Sequence, residues 1–241
     1  MRVSVVVPAF NEEQGIAASL RSIRQAMAVL DAAGWSSELI VCDNNSTDRT
    51  AAIARGAGAQ VVFEPINQIS RARNTGAARA TGDWLIFVDA DSHPSPELFA
   101  DVVGAIQEGR CLAGGSTVTF DNPDPVVLLL GWNWNTLSRL TRWAAGSFIF
   151  CDAAVFREVG GFSQDLYAAE EIDLFRRLKR VARRRGKAIV MLHRHPLRTS
   201  ARKAYLYTWR EALRFIGRTA VSRGRTLRSA EECFSWYDGR R

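Results

Sequence analysis

Asp89-Ala90-Asp91 follows directly on the apolar run Trp84-Leu85-Ile86-Phe87-Val88 and precedes a proline-containing turn at His93-Pro94-Ser95-Pro96. In extended backbone, side chains repeat every second residue, so the two carboxylates can converge on one side. Two convergent carboxylates suit a hard divalent cation. Mg2+ in particular is held by one or two carboxylates, with phosphates and waters completing its shell. A pair of solvated loop aspartates is the plainer reading of an isolated Asp-x-Asp. Position favours the metal, because ligands of open α/β sheets gather at the carboxyl ends of strands.

The elements that must present this pair can be read from hydrophobic spacing. Residues 3–7 are a β-branched run ended by Pro8, which predicts a buried strand and a loop at Ala9-Phe10-Asn11. Over residues 12–33, Ile16, Leu20, Ile23, Met27 and Leu30 recur at three- and four-residue intervals, predicting an amphipathic helix with Asn11 as its cap and a stop near Gly34. Residues 38–42 predict a second strand, running into the polar Asp43-Asn44-Asn45-Ser46-Thr47-Asp48, which suits a helix start. Helices over 50–57 and 70–80 and strands over 60–63 and 84–88 complete an alternation that predicts a mostly parallel, doubly wound sheet. A helix over 97–107 and a strand over 113–120 follow. Beyond Asn122 an aromatic and aliphatic stretch holds Trp132, Trp134 and Trp143, and it reads as a buried helix covering the sheet or as a greasy wall for an acceptor. A strand over 148–150, a short helix over 152–159, a basic helix over 171–184 and a strand over 188–192 are expected after it.

With 241 residues, 47% of them hydrophobic and 24% charged, the chain is a folded protein and not a disordered one. Its formal charge of +7 implies attraction to anions: nucleic acid, acidic lipid or phosphorylated small molecules. The excess is mostly C-terminal, from Arg176 onward. Cys42, Cys111, Cys151 and Cys233 form no C-x-x-C pair, so reduced, buried thiols are expected rather than a zinc site or disulfide framework. The N-terminal apolar run is too short for a signal peptide, and no segment supplies about 18 uninterrupted apolar residues. A cytoplasmic location follows as the expectation.

Five ordered motifs together resemble the family 2 glycosyltransferases, nucleotide-sugar enzymes of the GT-A fold: Val5-Val6-Val7-Pro8-Ala9-Phe10-Asn11-Glu12, Asp43-Asn44-Asn45-Ser46-Thr47-Asp48, Ala72-Arg73-Asn74-Thr75-Gly76-Ala77, Phe87-Val88-Asp89-Ala90-Asp91 and Ala169-Glu170-Glu171-Ile172-Asp173-Leu174. The resemblance implies a GT-A type, Rossmann-like sheet with a C-terminal helical segment. It divides the chain into a donor-binding half at 1–121, an acceptor and catalytic-base half of the same domain at 122–202, and a basic amphipathic segment at 203–241. It places Pro8, Asn11 and Glu12 in the first nucleotide-binding loop and Asp43 on the nucleobase, where an acceptor-only carboxylate suits the imide N–H of uracil and favours UDP over GDP. Arg73, or Arg71 beside it, would face the diphosphate. Asp91 would bind Mg2+ or Mn2+ directly, with Asp89 on the ribose or a metal-bound water, and His195 or His193 could complete the metal shell. Glu171, with Glu170 and Asp173 as alternatives, would deprotonate an acceptor hydroxyl and favour single displacement with inversion.

Two other functions compete. A nucleic-acid-binding protein would couple its charge to a reading fold or stacking surface, and neither is evident, so no nucleic-acid partner is expected. A noncatalytic membrane-surface scaffold on the same fold is the alternative. Tyr205, Leu206, Trp209, Leu213, Phe215 and Ile216 interleave with Arg210, Arg214 and Arg218 as a basic amphipathic helix that could lie on anionic lipid, making the protein peripheral at the inner face of the membrane. The acceptor, soluble or lipid-linked, is not specified by these residues.

Overall fold

A computed structural model describes residues 1–121, 124–200, 218, 219, 222 and 224–233. Its centre is one eight-stranded mixed sheet of strand order β3-β2-β1-β4-β7-β6-β8-β5. The first strands are β1 (Arg2–Ala9), β2 (Ser36–Asp43), β3 (Gln60–Phe63) and β4 (Trp84–Val88), with α1 (Ile16–Ala32), α2 (Thr50–Gly56) and α3 (Ile69–Arg79) between them. β1 pairs in parallel with β2 and β4, and β2 with β3, so Ala9, Asp43, Phe63 and Val88 end on one edge. Burial explains the composition of these strands. Val3, Val5, Val6, Val7, Ile86, Phe87 and Val88 are fully buried, and a strand covered on both faces reads as a continuous apolar run.

The second half completes the same sheet. β5 (Ser92–His93), α4 (Pro96–Gln107) and β6 (Cys111–Phe120) lead to α5 (Pro125–Thr141), β7 (Phe148–Asp152), α6 (Ala153–Glu158), α7 (Glu170–Arg185) and β8 (Ala188–Thr199). β7 inserts antiparallel between β4 and β6, with Phe148 opposite Val88, so the loop entering β7 arrives at the edge where Asp89 begins. Two apolar clusters fill the faces, one around α1 and α4, the other around α6 and α7. Cys42, Cys111, Cys151 and Cys233 are free and buried, and burial pushes the Cys42 thiol up to about 12, first by desolvation and then by Glu64 and Asp43.

The helix after Glu12 starts later than its spacing suggested. Residues 12–15 form a turn, the cap position is Gly15, and Asn11 sits at φ 50 with its amide oxygen turned to Thr47 N–H. α5 divides its apolar residues between the two faces. Val127 and, in part, Trp134 pack inward beside Gly131, Asn135 and Ser138, while Leu128, Leu129, Trp132, Leu137 and Leu140 are exposed. Asn135 bonds both the N–H and the carbonyl of Val118 in β6, which explains how a polar side chain comes to be the anchor. The amphipathic segment expected around Tyr205 to Ile216 lies outside the described residues. Among those described, no helix is long and apolar enough to cross a membrane.

Gly76 of α3 shows how closely the layers approach. A Cβ there would lie 2.4 Å from Val6 Cγ1 of β1. Gly76→Ala should lower stability by about 1–3 kcal/mol through overpacking, despite alanine's better helix propensity. The Val6→Ala, Gly76→Ala double variant should recover part of that loss in urea unfolding, and additive losses would show that the clash is elsewhere.

Candidate active site

The carboxyl edge of the sheet gathers the motifs, each held by a specific local bond. In the first loop, Pro8 is buried and Asn11 N–H donates to Ser46 Oγ at 3.0 Å, while the Asn11 amide oxygen accepts from Thr47 N–H at 2.8 Å. The buried Glu12 donates its backbone N–H to Thr50 Oγ1 at 2.7 Å. These bonds clip the loop after β1 to the loop after β2. Asp43 is buried, and its Oδ1 accepts from Ser46 N–H at 3.1 Å, which fixes the carboxylate at the strand end. Asp48 is a helix-start residue: its carboxylate accepts from Thr50 N–H and from Glu13 N–H.

Arg73 sits elsewhere than on an open diphosphate surface. Its side chain is 1% exposed; Nη1 donates to Glu170 Oε1 at 2.7 Å, and Nη2 to Asp89 Oδ1 at 3.0 Å and to the Gly146 carbonyl at 2.9 Å. Its guanidinium lies 5.1 Å from the Phe162 ring centroid. The fork therefore joins the Asp-x-Asp loop, the loop entering β7 and the start of α7. Burial alone would lower the Arg73 pKa, but Asp89, Glu170 and Glu171 overcome it and raise the value. Asn74 seals the same joint by bonding both the N–H and the carbonyl of Phe162. Arg71, partly exposed, pairs with Glu64 at 3.3 Å and with Gln164 at 2.9 Å.

The Asp-x-Asp loop is pinned on its other sides as well. Asp89 N–H donates to the Ser147 carbonyl, Ser200 N–H donates to the Asp91 carbonyl, and Ser92 Oγ bonds Thr199 Oγ1 at 2.9 Å. Asp89 and Asp91 remain partly exposed. Their donor set is two hard carboxylates, one oxygen of Asp89 already taken by Arg73. Among the described residues no group of three His, Cys, Asp or Glu forms a metal cage. Two partly exposed carboxylates fit Mg2+ or Mn2+ whose remaining ligands arrive with a phosphate-bearing substrate.

His195 does not join them. β8 continues past residue 192 and makes a four-residue excursion between Leu192 and Leu197, the partners of Ser116 and Val118. His195 lies in that excursion and its Nδ1 faces Asp101 of α4 at 3.0 Å. His193 is exposed in the same excursion, with Nδ1 3.4 Å from the Met191 carbonyl. The strand expected over 188–192 thus runs on to Thr199, and both histidines fall within it rather than after its end.

α7 begins at that edge after a left-handed residue, Ala169, at φ 62. A non-glycine residue in this region costs about 1–2 kcal/mol, held here by the contacts on either side. Glu170 is buried against Arg73; Glu171, next along, keeps part of its surface exposed while its carboxyl group is buried. Burial and the Glu170 carboxylate push the Glu171 pKa up to about 8, against the opposing pull of Arg73. That value suits a group that takes a proton near neutral pH.

Glu64 at the end of β3 was missed by motif reading. It accepts from Thr75 Oγ1, Ile66 N–H and Arg71; burial would raise its pKa, yet these bonds lower it. A carboxylate just past a strand on this edge was the available signal. Part of the C-terminal segment also reaches the edge: Tyr167 N–H donates to the Leu227 carbonyl at 2.7 Å, and buried Cys233 senses the charge of Glu170.

Comparison with known proteins bears on the family and the fold. The model of the family described as Glycosyl transferase family 2 matches residues 4–160, well over half of the chain. An uncharacterized glycosyltransferase of Mycobacterium tuberculosis is 35% identical over 113 residues, 47% of this chain and 47% of its own length. A dolichol-phosphate mannosyltransferase of Pyrococcus furiosus is 30% identical over 121 residues, 48% of this chain and 33% of its own. The alignments thus span half or less of these relatives. Glucosyl-3-phosphoglycerate synthase from Mycobacterium tuberculosis, solved with Mn2+, UDP and phosphoglyceric acid, superposes with a TM-score of 0.61 at 21% identity, covering 97% of this chain and 78% of that one. The likeness shows a GT-A fold.

Proposed function

The chain belongs to glycosyltransferase family 2, and on that premise we propose that it transfers a sugar from a nucleoside diphosphate donor to an acceptor hydroxyl with inversion, aided by Mg2+ or Mn2+. The observation that carries this reading is the Arg73 fork, which brings Asp89 and Glu170 onto one guanidinium although they come from different motifs. An Asp-x-Asp loop and an acidic helix start held side by side give the two halves of a displacement: a place for the leaving group and a base opposite it.

Asp43 receives the nucleobase imide N–H, which favours UDP, and Arg71 stands at the same edge to meet donor phosphate. Asp91 and Asp89 would hold Mg2+ or Mn2+, which would supply positive charge to stabilise a nucleoside diphosphate leaving group. Glu171 takes the acceptor proton. The dolichol-phosphate mannosyltransferase named among the relatives supports a lipid-linked acceptor here; a lipid phosphate would attack through its phosphate oxygen in place of a hydroxyl and would give Glu171 a proton only when it arrives as the monoanion.

A panel of UDP-, GDP- and dTDP-sugars with Mn2+ or Mg2+ tests the reading, with turnover or tight binding of a UDP-sugar expected. No binding and no turnover with any donor would leave the noncatalytic scaffold standing. Asp91→Ala should remove the metal-dependent part of donor affinity in calorimetry while leaving the fold intact. Equal affinity with and without Mn2+ in the unaltered chain would remove Asp91 from the metal role.

A further inference from the structure

α5 leaves much of its apolar side-chain surface outside. A helix on a soluble domain normally turns its apolar stripe to the core and its polar face to water. Here Val127 and Trp134 pack inward with Gly131, Asn135 and Ser138, but Leu129, Trp132 and Leu140 share the outward face at helical spacing. Their exposures are 59%, 64% and 80%. From Leu129 to Leu140 the stripe runs about 16 Å at 1.5 Å per residue. Scattered exposed leucines need no explanation, but three large apolar side chains on one outward face, interrupted only by Asn133 and Thr136, mark an interaction surface.

The end of this stripe meets a cluster of positive charge. Leu140 lines a cleft of about 350 Å³ together with Arg142 of the following loop, Lys179 and Arg183 of α7 and Lys187 before β8. The carboxylates nearest on α6 and α7 are engaged with other arginines: Asp173 with Arg177, and Glu158 with Arg184 and Arg185. Among the described residues none of the four cations in the cleft is paired with a carboxylate. Burial, and then repulsion from Arg183, Arg142 and Arg176, lowers the Lys179 pKa, so the cluster is held together against its own charge. Arg176 and Lys179 also sit on the Trp143 ring, at 5.6 and 5.3 Å from its centroid.

We propose that the outward face of α5 and the basic cleft at its end form one docking surface for a bilayer containing anionic phospholipid. Leu129, Trp132 and Leu140 enter the boundary between headgroups and acyl chains, while Arg142, Lys179, Arg183 and Lys187 take lipid phosphates. Charge complementarity chooses the occupant. A second copy of this chain would bring the same positive cleft and the same net charge of +7 to the contact, whereas anionic headgroups neutralise both. The surface is separate from the residues assigned to sugar transfer and stands without that assignment.

Flotation of the full chain with vesicles tests it. The unaltered chain should float with phosphatidylcholine vesicles carrying about 30% phosphatidylglycerol and far less with phosphatidylcholine alone. Trp132→Ser with Leu140→Ser should lower the partition coefficient about tenfold or more. Arg142→Glu with Arg183→Glu should lower it similarly on the anionic vesicles only, and more steeply at low salt. Acyl-brominated lipid should quench tryptophan emission in the unaltered chain, and less so in Trp132→Phe. Undiminished flotation of either double variant, including flotation carried by residues 201–241, would overturn the proposal. So would a dimer in solution that Trp132→Ser dissociates while the unaltered chain ignores vesicles.

Discussion

Glu171→Gln should abolish sugar transfer while leaving donor binding unchanged. The amide keeps the size of the carboxylate and cannot accept the acceptor proton, so the loss should be about 10²- to 10⁴-fold in kcat with a KM for donor that hardly moves. Single-turnover transfer and calorimetric donor binding on the same preparation separate the two quantities. A Glu171→Gln protein with normal turnover would transfer the base role to Glu170 or Asp173. Glu170 is the less suitable by geometry, since its Oε1 is committed to Arg73 at 2.7 Å; Asp173 is committed to Arg177 at 2.7 Å.

The raised pKa of Glu171 gives that prediction a pH signature. The base must be ionised, so kcat/KM should rise with pH and level off above about 8, the value set by burial and by Glu170. Glu170→Gln removes the neighbouring negative charge and should move the rise to lower pH. Stability runs the other way. Glu171 binds its proton more tightly folded than unfolded, so its contribution is complete below about 4.5, the ordinary value, and is lost as pH rises through about 8. The pH that activates the base is thus one at which the folded site is less favourable.

How much of this could be read from sequence depends on the range of the contacts. β3 and β4 match the expected strands residue for residue, and α1 and α3 differ only at their ends, because local periodicity and turn residues determine them. The Asp89 and Asp91 pair was legible for the same reason: a buried strand must stop where carboxylates begin. The antiparallel insertion of β7 beside β4 was not, since strand-to-strand choice depends on what fills the faces and not on alternation within either strand. The same limit hid the partners of Arg73. The motif suggested a cation facing the diphosphate, and nothing local announces that Glu170, 97 residues later, will close over it. For α5 the apolar content left burial and an exposed greasy wall both open, and what divided its residues was non-local: Asn135 met the open backbone groups of Val118 in β6 and took an inward position, leaving Leu129, Trp132 and Leu140 outside.

Arg73→Met should be the most destabilising single change at the site. Arg73 is buried with its two terminal nitrogens shared among Asp89, Glu170 and the Gly146 carbonyl, and methionine fills a similar volume without charge. The cost is not the loss of attraction alone. Glu170 is left buried and Asp89 half-buried with no counter-charge, and breaking a buried pair from one side costs about 3–5 kcal/mol, a large share of the stability of a domain. Urea unfolding should show that loss, and adding Glu170→Gln to Arg73→Met should recover part of it, since the stranded charge is gone. Additive losses in that cycle would mean that Arg73 acts through packing on Phe162 instead. Arg73→Lys separates positioning from stability. The ammonium keeps the positive charge near Glu171, so the pH of the kcat/KM rise should hold, but one point charge cannot bridge Asp89 and Glu170 as the planar fork does. With the Asp-x-Asp loop and the start of α7 no longer fixed to each other, kcat should fall about tenfold or more at unchanged donor affinity, the response expected when two reacting groups lose their mutual orientation. A lysine variant with full kcat would reduce Arg73 to a neutralising charge.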